Sequence, residues 1–362
     1  MSIEAPKISV IIPLYNAEDY IRITLLSLKN QTFQDFEIVI VNDCSTDNSL
    51  EVVKEIQEKN KIIGDKIRII ELERNGGISN TRNVGLSFAN GEYVTFLDND
   101  DMLIPQALET FIKIAEEWNA EVVHTHSHYQ NPKDMPQGNK MTFRMASFEH
   151  GNKVNLKSPP YLLTNDMSER MYNFSIYGID WNVWGKLFRR DFLMKNSIQF
   201  PKIKLTEDLL FVFQTLLYAK KYVMIPDALY VYRYRLDSTL HGERDKNFLR
   251  KVIDVQINGT KILNNYMDGI EHFKDHFKDR EHVINFYMNL ELLGTKLMQR
   301  KYGEEEDYFE MLQEIYTQYF GKDATFVAFI HKIANQRQPA TSPPWPTENT
   351  GSTLPANSDG KK

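Results

Sequence analysis

The sequence predicts an α/β fold: a mostly parallel, Rossmann-like sheet sandwiched by helices, followed by an α-helical C-terminal region. The first observation is that runs of β-branched residues alternate with amphipathic helical stretches through the first third of the 362-residue chain. That alternation is typical of strand–helix units whose strands run parallel. The second observation is that these runs are almost entirely apolar and end at polar residues, as strands buried on both faces do.

Four strands can be assigned in order along the first hundred residues, at 8–14, 37–41, 67–72 and 92–97. Apolar residues at helical spacing follow each of the first three strands. Asn16 is expected to cap the first of these helices, which carries Ile21 and Leu25 on one face. The dipeptide Asn90-Gly91 predicts the turn into the fourth strand.

The pattern becomes less regular beyond the fourth strand. A helix over 105–118 and a strand over 121–129 are predicted, followed by an extended loop over 130–160 that could serve as a lid. A second structured block over 181–234 includes an apolar helix over 209–218.

The pattern therefore predicts three parts. Residues 1–240 form the α/β domain, and residues 241–337 form a helical domain. Residues 338–362 are rich in Pro, Ser, Thr, Asn and Gly and lack apolar periodicity, so a disordered tail is expected there.

Composition excludes several classes of function. A net charge of −6 argues against nucleic acid as a partner, because binding to the phosphate backbone needs clustered Lys and Arg. Cys44 is the only cysteine, so neither an internal disulfide nor a cysteine metal site is expected, as suits a reducing compartment. With no signal-peptide pattern and no run of about 18 apolar residues, a cytoplasmic location is expected.

Three acidic clusters stand where a ligand could bind: Asp43, Asp98-Asn99-Asp100-Asp101 and Glu207-Asp208. The first two follow predicted strands, and open α/β sheets bind ligands at the carboxyl ends of their strands. Carboxylates there suit Mg2+ or Mn2+ that bridges substrate phosphates. Simpler interpretations are that Asp101 caps a helix starting near Leu103, and that Glu207 and Asp208 cap the helix before Leu209.

Five motifs occur in one order: VIIPLYN (10–16), VNDCSTD (41–47), NGGISNTRNVG (75–85), GEYVTFLDNDD (91–101) and TED (206–208). Together they resemble the family-two glycosyltransferases of the GT-A fold. The resemblance is dense over 7–105, returns over 181–240 and does not extend to the C-terminal helices. It implies an inverting enzyme that uses a nucleoside-diphosphate sugar, most often a UDP-sugar, together with Mn2+ or Mg2+.

The resemblance also implies roles for individual residues. Those implied to contact the donor are Pro13, Tyr15, Asn16, Glu18, Asp43, Arg82, Asp98 and Asn99. Asp43 would accept a hydrogen bond from the base, although Asn42 and Cys44 stand where the family often has Asp and Gly. Asp100 would hold the metal ion, and His241 could complete its coordination. Arg233 or Arg235 could instead grip a phosphate, or belong to a solvated strand face.

The acceptor side is implied to contain the general base. Asp208 would take the proton of the attacking hydroxyl, and a divalent ion would neutralise the departing nucleoside diphosphate. A single base and no second nucleophile give one displacement with inversion. Glu207, Trp181 and Trp184 would border the acceptor, although core packing is an equal alternative for one of the tryptophans.

Two other functions are compatible with parts of the sequence. A noncatalytic sugar-nucleotide-binding module is the main alternative, and the presence of both Asp100 and Asp208 argues against it. A phosphohydrolase with Asp98 as nucleophile leaves Asp43 without a role. The expected acceptor is a glycan, a lipid-linked sugar or a cell-surface polysaccharide, and peripheral contact with the inner face of a membrane and a homodimer are further hypotheses.

The alternating His124, His126 and His128 predict one strand face. That face could line the acceptor cleft or, less favourably, bind zinc, for which no fourth ligand is in view.

Overall fold

The computed structural model describes residues 5–130, 159–175, 178–233 and 246–287. Its strands are β1 (Ile8–Leu14), β2 (Phe36–Asn42), β3 (Ile67–Glu71), β4 (Tyr93–Phe96), β5 (Met102–Leu103), β6 (Val122–Gln130), β7 (Tyr161–Leu162), β8 (Lys186–Arg189) and β9 (Tyr222–Tyr232). Its helices are α1 (Ile21–Lys29), α2 (Ser49–Lys59), α3 (Lys61–Gly64), α4 (Ile78–Phe88), α5 (Ala107–Trp118), α6 (Met167–Ser175), α7 (Arg190–Lys195), α8 (Glu207–Tyr218), α9 (Lys246–Asp268), α10 (His272–Asp275) and α11 (277–287).

The strands form one mixed sheet in the order β3-β2-β1-β4-β8-β6-β9-β5, with β7 also paired to β9. The strands β3, β2, β1 and β4 are parallel, as the strand–helix alternation predicts. In the middle, β8 runs antiparallel to both β4 and β6. The α/β fold with a mostly parallel sheet is confirmed, and the antiparallel β8 is an addition that the sequence pattern did not reveal.

Apolar residues cover both faces of the central strands. Along β1, Ile8, Val10 and Ile12 face the layer that contains α1, α2 and α5, while Ile11 faces the opposite layer. The second layer contains α4, α6 and α8. Burial on both faces explains the near-continuous apolar runs, because alternate residues of one strand enter different layers.

Helix α8 is buried around its circumference, with every residue from 209 to 217 buried. A helix that is apolar on all sides belongs in a core. The sheet lies on one side, and on the other side Phe174 of α6 contacts the ring of Phe213 in α8. Phe174 also contacts the ring of Phe286 in α11. The N-terminus of α8 is therefore held in place by packing along the whole helix.

The C-terminal helices α9 to α11 pack on the same layer. The Tyr287 hydroxyl of α11 lies 2.8 Å from Thr206 Oγ1, just before α8, and donates to the Val255 carbonyl of α9 at 3.1 Å. All described residues belong to one compact unit, residues 1–296. The domain boundary at residue 240 stays a prediction, and the tail over 338–362 lies outside the described residues.

The expected cap at Asn16 is wrong. Helix α1 begins at Ile21, and Asn16 has the left-handed φ of 44°. Its side-chain oxygen accepts the Thr46 N–H at 2.8 Å, so the asparagine joins two loops instead of starting a helix.

Across the described residues, no helix combines the length and apolarity needed to cross a membrane.

Candidate active site

The loops that follow β1 and β2 are tied together at the carboxyl edge of the sheet. Asn16 accepts from the Thr46 N–H, and the Glu18 carboxylate accepts from the backbone and side-chain nitrogens of Asn48 at 2.9 and 2.7 Å. These two donor-site candidates thus shape the loop over 45–48. Tyr15, next to Asn16, is 48% exposed and remains available to a ligand.

Asp43 connects β2 to the start of α4. One carboxylate oxygen accepts the Gly76 N–H at 2.7 Å, and the other accepts the Gly77 N–H at 2.9 Å. The carboxylate is buried, and its charge is favourable beside a helix N-terminus, where unpaired N–H groups collect. Asp43 therefore fixes the glycine loop that leads to Arg82.

Arg82 lies at the centre of the candidate site. The residue is 3% exposed, and its guanidinium donates to Asp208 Oδ1 at 2.5 Å, to Glu207 Oε1 at 3.4 Å and to Asp98 Oδ1 at 2.9 Å. Burial alone would lower the pKa of Arg82, but the three carboxylates outweigh it and raise that pKa. One cation thus joins the end of β4 to the beginning of α8.

Asp208 is held at both oxygens. Arg82 donates to Oδ1, and the Val183 N–H donates to Oδ2 at 3.1 Å. Burial, reinforced by the charge of Asp98, raises the pKa of Asp208 against the opposing effects of Arg82 and Lys186. Because these partners lie outside α8, the capping interpretation does not account for the carboxylate.

Glu207 is more weakly held. Its Oε1 atom meets Arg82 at 3.4 Å, while its Oε2 atom is buried with no hydrogen-bond partner. Burial and the neighbouring Asp208 raise the pKa of Glu207 to about 7. A buried carboxyl group that titrates near neutrality is characteristic of functional sites.

Two residues of the Asp98–Asp101 segment after β4 bond to different parts of the sheet. Asn99 donates to the Pro13 carbonyl at 3.0 Å and so joins the ends of β1 and β4. Asp101 is buried, and accepts from the Tyr230 hydroxyl and the Arg233 N–H, each at 2.7 Å. Burial and the charges of Asp100 and Asp98 raise the pKa of Asp101 well above its usual range.

Two simpler interpretations are therefore wrong. Asp101 does not cap a helix near Leu103, because residues 102–103 form β5 and Asp101 bonds to β9 and the residue after it. Arg233 is not on a solvated strand face, because it is buried with its guanidinium over the Tyr20 ring.

Trp184 stacks on Tyr230 with ring centroids 4.5 Å apart and an interplanar angle of 14°. Because Tyr230 also holds Asp101, this stack links the acceptor-side segment to the acidic run. Trp181 is partly buried against the apolar layer that contains α8.

Comparison with known proteins identifies the family of this chain. The family model described as Glycosyl transferase family 2 matches residues 9–177. The Escherichia coli protein YibD, an uncharacterized glycosyltransferase, is 30% identical over 268 residues, which cover 73% of each protein. This chain belongs to glycosyl transferase family 2.

Other relatives of this family 2 glycosyltransferase are longer or more distant. GlyG of Streptococcus pneumoniae is 28% identical over 77% of this chain and 89% of its own length. Staphylococcus aureus TarS, a poly(ribitol-phosphate) beta-N-acetylglucosaminyltransferase, is 30% identical over 75% of this chain, but the chain spans only 44% of TarS.

The crystal structure of TarS residues 1–349 in complex with UDP-GlcNAc superposes with a TM-score of 0.61. The match covers 86% of this chain and 81% of that one at 24% identity. At this level of identity the likeness shows the fold alone, and it confirms the predicted GT-A fold.

The candidate metal ligands of this glycosyltransferase are compatible with a divalent ion. Asp98 and Asp100 stand two residues apart at the end of β4, and the Asp98 side chain is 27% exposed. Within the part of the chain that the structure describes, no group of three or more His, Cys, Asp or Glu could hold a metal. Mg2+ commonly uses one or two carboxylates plus substrate phosphates and water, so two carboxylates suffice. His241, the other candidate ligand, lies outside the described residues, as does Arg235.

The histidine hypothesis fails at its first residue. His124 is fully buried and bonds through Nδ1 to the Tyr222 hydroxyl at 3.0 Å, so it does not line a cleft. The side chains of His126 and His128 lie outside the part of the chain that the structure describes.

Sequence reasoning missed two groups that shape this site. The Tyr230 hydroxyl binds Asp101, and the Val183 N–H binds Asp208. Each pair is more than 20 residues apart in the sequence, and no local motif indicates the pairing. The apolar alternation of β9 was the only available signal, and it does not distinguish a hydroxyl that bonds a carboxylate from a core tyrosine.

Proposed function

We propose that this glycosyltransferase moves a sugar from a UDP-sugar, with UDP-GlcNAc as the first candidate, to a hydroxyl group of a polymer or lipid-linked acceptor. The observation that carries the proposal is the Arg82 network, in which one guanidinium contacts Asp98 at the sheet edge and Asp208 at the start of α8. A donor-side and an acceptor-side carboxylate are thereby held together, as a transfer reaction requires. The binding of UDP-GlcNAc by TarS supports the choice of donor.

Asp208 acts as the general base. Arg82 and Val183 fix the orientation of its carboxylate, and each oxygen keeps a further lone pair for the acceptor hydroxyl. The raised pKa of Asp208 makes it a stronger base than an exposed aspartate. With one base and no second nucleophile, the reaction is a single displacement with inversion.

Pro13, Tyr15, Asn16, Glu18, Asp43, Arg82, Asp98 and Asn99 form the donor side. Tyr15 is the exposed aromatic ring among them. Asn16, Glu18 and Asp43 hold the loops that would surround the nucleoside. Each bonded carboxylate oxygen can still accept one more hydrogen bond, so Asp43 can receive one from a uracil N–H.

Asp100, with Asp98 beside it and His241 as a further ligand, would hold Mn2+ or Mg2+. The ion, when bound, supplies Lewis-acid stabilisation of the departing diphosphate. Glu207, Trp181 and Trp184 border the acceptor. The acceptor is a glycan, a lipid-linked sugar or a cell-surface polysaccharide, reached in the cytoplasm or at the inner membrane face.

The test is UDP release from UDP-GlcNAc and from other UDP-, GDP- and TDP-sugars, with Mn2+ or Mg2+ and with water or a candidate glycan as acceptor. We expect Asp208→Asn to lower the rate about 10²- to 10⁴-fold, the usual contribution of a general base, with UDP affinity kept. Asp100→Ala should lose the dependence on metal ion, and Asp65→Asn, an exposed residue remote from the site, should behave as wild type. Retained UDP binding with no turnover for any donor would favour the noncatalytic binding module instead.

A further inference from the structure

Lys186 is a buried lysine beside the candidate base that the proposed mechanism does not use. It begins β8, is 1% exposed, and its ammonium donates a hydrogen bond to the Asn182 carbonyl. The backbone of Lys186 is fixed, because its own carbonyl accepts from Thr95 Oγ1 at 2.8 Å. The ammonium is therefore aimed at one peptide group from a rigid strand.

That peptide group also holds Asp208. The carbonyl of Asn182 and the N–H of Val183 belong to the same peptide unit, and this N–H donates to Asp208 Oδ2 at 3.1 Å. In a trans peptide the two groups point in opposite directions. The peptide consequently lies between the ammonium of Lys186 and the carboxylate of Asp208.

A buried ammonium is costly to a fold. Burial lowers the pKa of Lys186 to about 7, although Asp180 and Asp208 act in the opposite direction. A methionine would fill a similar volume without that cost. A charged donor on a peptide carbonyl polarises the peptide and strengthens the hydrogen bond given by its N–H.

We propose that Lys186 is a positioning residue for glycosyl transfer, acting on Asp208 through the Asn182–Val183 peptide. The proposal rests on the role of Asp208 as the base. Other charged groups also face Asp208: Arg82 from α4, Asp98 from the end of β4 and Glu207 from α8. Arg82 also bonds to two further carboxylates. The path from Lys186 through the Asn182–Val183 peptide, called the relay below, reaches only Oδ2 of Asp208.

The test follows the Val183 amide directly and does not depend on activity. In the full chain labelled with 15N-valine, the resonance of the Val183 amide is the one that disappears in Val183→Ile. The part of its pH response that disappears in Asp208→Asn is caused by ionisation of Asp208. We expect Lys186→Met to move the midpoint of that response to higher pH by about one unit, the effect of removing a neighbouring opposite charge. An unchanged midpoint would overturn the proposal.

A second measurement serves if Lys186→Met does not fold. Glu207→Gln removes the other group that titrates near pH 7. In the double variant Glu207→Gln/Asp208→Asn, in which Asp208 cannot ionise, the Val183 amide should still show an inflection, from Lys186 itself. A flat response there would also overturn the relay.

The rate of UDP release in the same variants then distinguishes a failure of this proposal from a failure of the proposed function. Lys186→Met should slow UDP release about tenfold below the midpoint of the acidic limb and much less at high pH, because one pKa unit is a tenfold change in ionisation. Lys186→Arg, which keeps the charge, should recover part of the rate at low pH. If Asp208→Asn leaves turnover unchanged while the amide still responds to Lys186, the proposed function fails and the relay stands as geometry without a catalytic role.

Discussion

At the scale of single residues, the site depends on one cation that balances three carboxylates. Arg82 is nearly inaccessible to solvent, and its side chain contacts Asp98, Glu207 and Asp208 at once. A buried ion pair contributes little net stability, but removing one partner leaves buried charge uncompensated. Arg82 is therefore expected to contribute to folding as well as to the proposed site.

Replacing Arg82 should destabilise the whole fold. We expect Arg82→Met to lower the free energy of unfolding by about 3–5 kcal/mol, the usual penalty for breaking a buried pair, as measured by urea denaturation. The control is Arg22→Met, which removes an exposed pair with Glu55 and should change little. Equal effects of the two substitutions would contradict the buried network.

Glu207 should make stability depend on pH. Its pKa is raised from 4.5 to about 7 in the fold, so between these values the folded chain keeps a proton that the unfolded chain releases. The stability from this group is complete below pH 4.5 and is lost as the pH rises through about 7.

Glu207→Gln cannot ionise, so its melting temperature relative to wild type should rise between pH 5 and pH 8. Thermal melts at the two pH values measure this, with the exposed Glu117→Gln as control. The same pH dependence in wild type and Glu207→Gln would refute the assignment.

At the scale of elements, the parallel strands β1 to β4 were predictable, and the antiparallel insertion of β8 was not. Strands β1 to β4 are marked by runs rich in apolar residues, and a helix follows each of the first three. Strand β8 has only four residues and pairs with partners distant in sequence, so no local pattern gives its place. Sheet order depends on those long-range contacts.

The candidate site was predictable to a similar degree. Asp43, Asp98 and Asp208 could be found because motifs surround them, while the bond from Arg82 to Asp208 spans 126 residues of sequence. The helix cap predicted at Asn16 is wrong because asparagine favours both helix caps and left-handed turns. Only tertiary contacts decide between the two.

The start of α4 depends on a glycine. Gly77 precedes the helix with φ 78° and ψ 169°, a conformation that is almost restricted to glycine. A Cβ at this position would meet nothing within 4 Å, so the cost of a side chain is conformational alone.

Gly77→Ala should therefore cost about 1–3 kcal/mol in the free energy of unfolding. It should also weaken UDP binding, because the Gly77 N–H helps to hold Asp43. Urea denaturation and calorimetry measure the two effects. Gly269→Ala, whose added Cβ has only ordinary contacts and whose φ is not positive, should match wild type.

At the scale of the whole molecule, the C-terminal helices support the helix that carries Asp208. Tyr287 reaches across from α11 and bonds to Thr206, immediately before Glu207 and Asp208. Thr206 makes no side-chain cap to α8, so its hydroxyl is free for this contact. Helices α9 and α11 thus help to hold the start of α8 in place.

Tyr287→Phe should show how much this contact contributes. Loss of the hydroxyl leaves buried Thr206 Oγ1 and the Val255 carbonyl short of a partner, which costs about 1–3 kcal/mol in stability. Thermal denaturation measures the loss, and Tyr161→Phe, at a 46% exposed position, is the control. A melting temperature equal to wild type would show that α9 and α11 do not support α8 through this hydroxyl.

The contact between Thr206 and Tyr287 can form only at a late stage of translation. The two residues are 81 positions apart in the chain. At about 5–20 residues per second, a ribosome needs roughly 4–16 seconds to travel between them. During that interval the nascent chain contains Glu207 and Asp208 but not the tyrosine that bonds to the start of their helix, so this contact can form only after translation has passed residue 287.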